Sequence, residues 1–314
     1  MQSQHSLQNI SPVPWTEILP DEDLAALGLS RGEVCAAELL RFKSGHFVCR
    51  LKAGRSWRIL KGFDSPDVLE PQVYALLRRY EIPTLSLHGC TRQALLLEDL
   101  AHSRSWRNAS AADMRRRETG LAVADWYHRL HTVGREALRH PEALPPPLHA
   151  WVDELTPAAL SAAGIRLGLA GKAAWEFALR HAETLCARAR ACPQTFNYED
   201  FARENLAVSR RGPRRAVVFD YDCFTLGMAY SDWRNVTYSD WRNVTYSLEG
   251  PARESFIEAY GSVSEIEARL DLPLSNLHGL VLASRRENVP GWARPLLESV
   301  ENGELERSVS KALE

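Results

Sequence analysis

The sequence has no long apolar run, no cysteine framework and no large excess of charge of either sign. No apolar run approaches the roughly 18 residues that a membrane span needs. The six cysteines include no C-x-x-C pair, so free thiols in a reducing cytoplasm are expected. A formal net charge of −2 gives no reason to expect a nucleic acid or an anionic membrane as partner. The first residues lack the basic head and apolar core of a signal peptide, which also favours a cytoplasmic location.

The composition is that of a globular protein with a sizeable core. The chain has 314 residues, of which 45% are apolar and 25% charged, enough for one large or two ordinary domains. Residues 1–20 contain three prolines and are predicted to form an irregular arm. The pattern from 34 to 63 is β-like, and it becomes helical after residue 110. Strands are predicted over Glu38–Phe42, Phe47–Leu51 and Ser56–Phe63.

The chemistry is concentrated in one stretch near residue 200. Asp200 is followed five residues later by Asn205, and an apolar run begins immediately afterwards. A basic turn at 209–215 separates this run from a second one that ends in Asp220. Two short apolar runs around a turn predict a hairpin, which would bring Asn205 and Asp220 to the same end. In the alternative interpretation Asp200 only caps a turn and Asp220 only ends a strand.

This stretch resembles the catalytic loop of the aminoglycoside phosphotransferase and choline kinase-like small-molecule kinases, in the protein kinase-like superfamily. Their pattern is H-G-D-x-x-x-x-N, followed by an I-D-[FW] strand. The resemblance implies that Asp200 is the catalytic base and that Asn205 and Asp220 hold Mg²⁺. Tyr198 replaces the histidine, which is mainly a scaffold residue. Glu199 replaces the glycine and adds a negative charge that could raise the pKa of Asp200 or bind a cationic substrate.

A lysine in the third predicted strand is the candidate residue for binding the nucleotide phosphates. With a two-residue period, Ile59 and Lys61 face the same side of the sheet, as in the V-A-I-K strand of kinases. The resemblance implies that Ile59 lies against the purine and that Lys61 reaches the phosphates. Such a lysine needs a carboxylate on the next helix; Glu70 is preferred, and Asp64 and Asp67 compete for it. Glu70 also precedes a proline at a helix start, so a capping role is the alternative.

The segment Ala94–Leu100 predicts the last strand of the small lobe and the start of a hinge. The resemblance implies that the Glu98 carbonyl and the Leu100 N–H pair with the adenine edge, with Leu97 behind the base. A buried strand ending in acidic residues is the alternative interpretation. The turn before the second strand contains a single glycine, so a glycine-rich phosphate cradle is not predicted.

The remaining sequence predicts a helical lobe. Asp125, His128 and His131 share one helical face, but histidines that cap or pack are favoured over a metal site. Helices are predicted over Asp113–Val133, Pro157–Leu169, Lys172–Cys192, Ala252–Tyr260, Val263–Leu270, Leu274–Asn288 and Trp292–Asn302.

An eight-residue segment, Tyr230–Thr237, is repeated without change as Tyr238–Thr245. Eight residues are too few for a solenoid unit, so a tandem duplication or an artefact is the simplest explanation. The family has a structural aspartate after the metal-binding one. Asp232, twelve residues beyond Asp220, fits that place better than Asp240. This span is too short for the activation segment of a protein kinase, which favours a small-molecule substrate.

Taken with these patterns, the resemblance implies an α+β, bilobal protein kinase-like fold. Residues 1–97 are expected to form a small β-rich nucleotide-binding lobe, 98–104 a hinge, and 105–314 a mostly helical lobe with the catalytic loop and the acceptor pocket. The expected activity is ATP- and Mg²⁺-dependent transfer of the γ-phosphate to a hydroxyl of a small molecule, without a nucleic-acid or membrane partner. The acceptor and the oligomeric state are not predicted. The alternative is a nucleotide-binding pseudokinase or regulatory module without phosphotransferase activity.

Overall fold

A computed structural model of the chain describes residues 19, 21–43, 45–145, 148–238 and 247–314. Apart from Leu19, the predicted irregular arm lies outside these residues. Asp240 and most of the second copy of the repeat lie outside them as well. No helix among the described residues is long and apolar enough to cross a membrane.

The small lobe is built on a five-stranded antiparallel sheet with strand order β1-β2-β3-β5-β4. The three predicted strands are confirmed as the first three of this sheet, and the strand predicted before the hinge is β5. Its elements are α1 (Asp21–Ala26), β1 (Val34–Lys43), β2 (His46–Ala53), β3 (Ser56–Phe63), α2 (Glu70–Arg79), β4 (Leu87–Cys90) and β5 (Ala94–Glu98).

The two faces of this sheet have different roles, because side chains alternate along each strand. Phe47 and Leu60 lie on the outer face and are buried together with Leu24 of α1. Phe47 stands opposite Gly62, where an added Cβ would lie 2.0 Å from the phenyl ring. Only glycine therefore allows this packing. The opposite face of the sheet, which carries Lys61, faces the large lobe.

The large lobe is mostly helical and contains two small sheets. Strands β6, β8 and β9 form one antiparallel sheet, and β7 pairs with β10 in the other. The β8–β9 pair is the predicted hairpin, which is confirmed. Its elements are β6 (Trp106–Asn108), α3 (Arg117–Ala137), α4 (Pro157–Arg166), α5 (Ala173–Ala191), β7 (Gln194–Asn197), β8 (Leu206–Ser209), β9 (Ala216–Val218), β10 (Thr225–Met228), α6 (Ala229–Thr237), α7 (Gly250–Tyr260), α8 (Glu265–Ser284), α9 (Arg294–Glu301) and α10 (Glu304–Leu313).

The helical predictions are wrong at two places near the C-terminus. The two predicted helices on either side of Pro273 are one continuous helix, α8. A proline inside a helix costs about 3 kcal/mol. Leu270, Leu274 and Leu277 are fully buried around it, and each contributes about 1.5–3 kcal/mol on burial, which offsets that cost. Helix α10 was not predicted; its strongly amphipathic face packs on α5 and α8.

One apolar core joins the two lobes and supports the loops between them. It includes Val73 and Leu77 of α2, Tyr127 of α3, and Tyr198 and Phe201 of the loop after β7. The loop that carries Asp200 is therefore held by buried aromatic side chains on both sides. A separate core lies among α4, α5, α8, α9 and α10.

Candidate active site

Lys61 stands at the centre of a cluster of carboxylates drawn from both lobes. Its Nζ donates to Glu70, to Asp220 Oδ1 at 2.7 Å and to Asp222 Oδ1 at 3.2 Å. The lysine is 7% exposed. Burial opposes its charge, but the three carboxylates outweigh burial and raise its pKa. Lys61 therefore stays cationic while it connects the small-lobe sheet to the large lobe.

Glu70 is the carboxylate on the small-lobe helix that pairs with Lys61. It is fully buried at the start of α2, and its Oε1 also accepts the N–H of Tyr221 at 3.2 Å. Lys61 bonds to Glu70 rather than to Asp64 or Asp67. Burial raises the pKa of Glu70 and Lys61 opposes that rise. The position preferred from the sequence is therefore the one that the structure brings to Lys61.

Asp200 and Asn205 lie together on the loop between β7 and β8. The Asn205 amide nitrogen donates to Asp200 Oδ2 at 2.7 Å and to the Asp200 carbonyl at 3.2 Å. Burial raises the pKa of Asp200 to about 7, with the charge of Asp220 adding to the effect and the Asn205 hydrogen bond opposing it. A carboxyl that titrates near neutrality is suited to accept a proton from a hydroxyl.

A buried aspartate holds the backbone of this loop. Asp232 of α6 accepts the N–H of Tyr198 at 2.9 Å and the N–H of Glu199 at 2.9 Å. His131 Nε2 lies 3.1 Å from the same carboxylate, and its Nδ1 lies 2.7 Å from the Tyr260 hydroxyl. Asp232 thus occupies the structural place expected from its spacing. His131 packs in this network, as favoured over a metal site.

The two departures from the family pattern have structural explanations. The Tyr198 hydroxyl donates to the Phe219 carbonyl at 2.6 Å, so it connects the loop of Asp200 to the segment that carries Asp220. Glu199 has a φ of 62°, in the left-handed region that glycine adopts most readily, and glycine is the residue of the family pattern at this place. Its carboxylate accepts from Asn235 at 3.1 Å and from Asn197 at 3.4 Å. Glu199 is therefore bonded within the scaffold and is not among the main causes of the Asp200 pKa shift.

The residues predicted around the nucleobase lie along the sheet and the hinge. Ile59 stands directly opposite Leu97 in the β3–β5 pair, and both share the face of Lys61. Leu97 and Leu100 are buried, and Glu98 ends β5. The Leu100 carbonyl accepts from Arg210 of the β8–β9 turn at 3.0 Å. Their contacts with a base remain predictions.

Asp222 is a site residue to which the sequence interpretation gave no role. Its second oxygen lies 3.8 Å from His46 Nδ1, at the start of β2. Burial opposes its ionisation, but hydrogen bonding with Glu70 and the charge of Lys61 lower its pKa. The available signal was only a second aspartate two residues after Asp220. The strand ends at Val218 and Asp220 has a φ of 68°, so strand alternation does not explain why the two aspartates meet at Lys61.

The same carboxylates form a candidate metal site. Oxygen atoms of Glu70, Asp220 and Asp222 lie within 4.8 Å of one another. Three carboxylates around one lysine leave an excess of negative charge, which a divalent cation would neutralise. The donor set, all hard oxygens with the Asn205 amide nearby, therefore fits Mg²⁺.

These two lobes, with a lysine–glutamate pair in the small lobe and the Asp200–Asn205 loop in the large one, define a bilobal protein kinase-like fold, which confirms the fold prediction. The chain shares this fold with solved small-molecule kinases. An ethanolamine kinase from Plasmodium vivax has a TM-score of 0.56 at 12% identity, covering 89% of this chain and 85% of that one. Choline kinase LicA from Streptococcus pneumoniae has a TM-score of 0.57 at 13% identity, with coverages of 91% and 97%. The aminoglycoside phosphotransferase APH(2'')-Ib has a TM-score of 0.56 at 13% identity, with coverages of 89% and 95%.

No protein-family model and no curated protein sequence matches the chain. The likeness to known proteins therefore lies in the fold.

Proposed function

We propose that this protein is an ATP- and Mg²⁺-dependent phosphotransferase that moves the γ-phosphate to a hydroxyl of a small molecule. One observation carries the proposal: Lys61 of the small lobe and Asp220 of the large lobe, 159 residues apart, meet at 2.7 Å. Asp200 and Asn205 lie on the adjoining loop and bond to each other at 2.7 Å. A lysine on the far side of the molecule would have ruled the kinase interpretation out.

Each residue in the cluster has a distinct role in this proposal. Bound Mg·ATP supplies the phosphoryl group and the divalent charge that screens it. Lys61 would keep its bond to Glu70 and exchange Asp220 and Asp222 for phosphate oxygens. Asp220, with Asn205 and the neighbouring Asp222, would hold the metal. Most of the rate enhancement would then come from positioning and charge neutralisation.

Asp200 is proposed as the group that takes the proton of the acceptor hydroxyl. Its raised pKa makes it a stronger base than an ordinary aspartate, and the Asn205 hydrogen bond to Oδ2 fixes its orientation. The buried Asp232 holds the preceding two backbone N–H groups, so the loop is rigid where the proton is transferred. General-base action of this kind contributes about 10²–10⁴-fold in rate.

The acceptor is proposed only as a class, a small molecule with a free hydroxyl. The solved proteins of similar fold include kinases for ethanolamine and choline and an aminoglycoside phosphotransferase, and the fold does not choose among them. Asp232 follows Asp220 by only 12 positions, which leaves no room for the activation segment that positions a protein substrate. All six cysteines are free, which supports a reducing cytoplasm.

The test is a transfer assay with purified protein, γ-labelled ATP and Mg²⁺ against aminoglycosides, amino alcohols and sugars. We expect labelled product with at least one class, lost on removal of Mg²⁺ and in Asp200→Asn. Asp153→Asn, at an exposed aspartate on the large lobe, is the matched control and should retain activity. Tight binding of ATP without transfer to any acceptor would instead favour the pseudokinase or regulatory module.

A further inference from the structure

An ion pair crosses the cleft-facing side of the small-lobe sheet. Arg50 of β2 stands directly opposite Ile59 of β3, which stands opposite Leu97 of β5. Directly opposed residues share a face, so Arg50 lies on the same side as Lys61. Arg50 Nε donates to Asp99 Oδ2 at 2.9 Å. Because Asp99 follows β5 and β3 lies between β2 and β5, the arginine side chain must cross β3 on the cleft side.

This arginine is held from two directions. Glu38 of β1 accepts from its Nη1 at 2.8 Å on one side, and Asp99 accepts from its Nε on the other. The Asp99 side chain is only 2% exposed. It also accepts the N–H of Ala101 at 3.1 Å and lies 2.5 Å from His102 Nδ1. The anchor is therefore buried and rigid, unlike an ordinary surface salt bridge.

The neighbouring side chains are those of the proposed nucleobase site. Ile59 and Leu97 supply apolar walls, and Leu100 follows Asp99 in the hinge. A guanidinium is planar and weakly hydrated, and it stacks on aromatic faces. Its attraction to a π-system grows when water is excluded. An anchored guanidinium beside two apolar walls is suited to contact the flat face of a base.

We infer that Arg50, positioned by Asp99, forms one wall of the nucleobase site and stacks on a purine. The inference rests on the proposed nucleotide-dependent function and adds a base-recognition residue that the sequence interpretation did not single out. Asp99 acts through Arg50 and is a positioning residue. Arg50 contributes to binding of the base and has no part in phosphate chemistry. Its role therefore differs from that of Lys61, which is proposed to bind the phosphates.

The test compares Mg·ATP with Mg·tripolyphosphate, which has phosphates but no base, by calorimetric titration of the full chain. Arg50→Leu should bind Mg·ATP about three- to thirty-fold more weakly and tripolyphosphate as the wild type does. Lys61→Ala should weaken the binding of both ligands. Arg190→Leu, on α5, removes an exposed ion pair with Asp153 at 2.9 Å on the large lobe and should change neither affinity. In turnover, Arg50→Leu should raise the KM for ATP with little change in kcat.

Asp99→Asn gives a second route if Arg50→Leu folds poorly, since it keeps the side-chain shape and should weaken ATP binding selectively. Unchanged ATP affinity in both variants would overturn the inference. Equal loss of ATP and tripolyphosphate binding would overturn it as well, because it would indicate a general distortion of the lobe. If the wild type bound tripolyphosphate and not ATP, base recognition would be refuted. If it bound neither, the proposed function itself would fail.

Discussion

The protonation of Asp200 gives the most quantitative test of the proposed active site. Burial, with the charge of Asp220 as the next contribution, raises the pKa of Asp200 to about 7. A carboxyl can act as a base only when it is ionised, so activity should be present above this pKa and lost as the pH falls through it. At pH 6 roughly one tenth of the enzyme carries an ionised Asp200, and at pH 5 roughly one hundredth.

The pH profiles of two kinetic constants should therefore differ. The profile of kcat/KM for Mg·ATP reports the free enzyme and should fall about ten-fold per pH unit below pH 7. The profile of kcat reports the enzyme with its ligands bound. A metal ion held by Asp220, as proposed, would neutralise that carboxylate and so remove one cause of the raised pKa of Asp200. The acid limb of kcat should therefore lie at lower pH than that of kcat/KM.

The assay is steady-state phosphoryl transfer from pH 5 to 9 at excess Mg²⁺, with an acceptor found in the transfer assay against aminoglycosides, amino alcohols and sugars. Asp200→Asn should lower kcat by about 10²–10⁴-fold while ATP affinity stays within a few-fold, and Asp153→Asn should reproduce the wild-type profile. An acid limb of kcat/KM near pH 4, or full turnover by Asp200→Asn, would refute the reasoning.

Three further substitutions test the scaffold. Glu70→Gln removes the buried charged partner of Lys61. It should lower the melting temperature, and it should lower kcat/KM for Mg·ATP by about ten-fold or more. Wild-type values of both would show that the ion pair is dispensable. Asp232→Asn keeps the size of the side chain but loses one acceptor oxygen. We therefore expect the free energy of unfolding, measured by denaturation, to fall by about 1–3 kcal/mol and kcat to fall as well. An unchanged kcat would show that Asp232 does not support the loop of Asp200. Gly120→Ala would place a Cβ 2.0 Å from a carbonyl oxygen of α7 and should destabilise by about 1–3 kcal/mol. Gly291→Ala, where nothing lies within 4 Å of the added carbon, is the control for that last measurement, and equal melting temperatures would contradict the close packing of α3 on α7.

Local sequence patterns were sufficient to predict those parts of the site that are formed by residues close together in the sequence. The two apolar runs around a basic turn specify the β8–β9 hairpin, and the hairpin brings Asn205 and Asp220 to one end. The alternation of β3 places Ile59 and Lys61 on one face. These features follow from backbone geometry over a few residues, so the sequence by itself determined them.

The choice among competing partners required the tertiary structure. Glu70, Asp64 and Asp67 were all candidates for Lys61, and burial of α2 against the rest of the core brings only Glu70 to it. Asp222 joined the cluster because the two lobes pack together. No local pattern gives the distance between two such segments.

The same distinction explains the helix at Pro273 and the pairing of Arg50 with Asp99. Local propensity predicts a helix break at a proline, but burial of leucines on both sides makes α8 continuous. Arg50 and Asp99 are 49 residues apart, and only the strand order of the sheet brings them together. The sequence by itself determined the hairpin that follows Asn205 and the strand of Lys61. The tertiary structure decided which charges meet across the cleft, because those contacts depend on long-range packing.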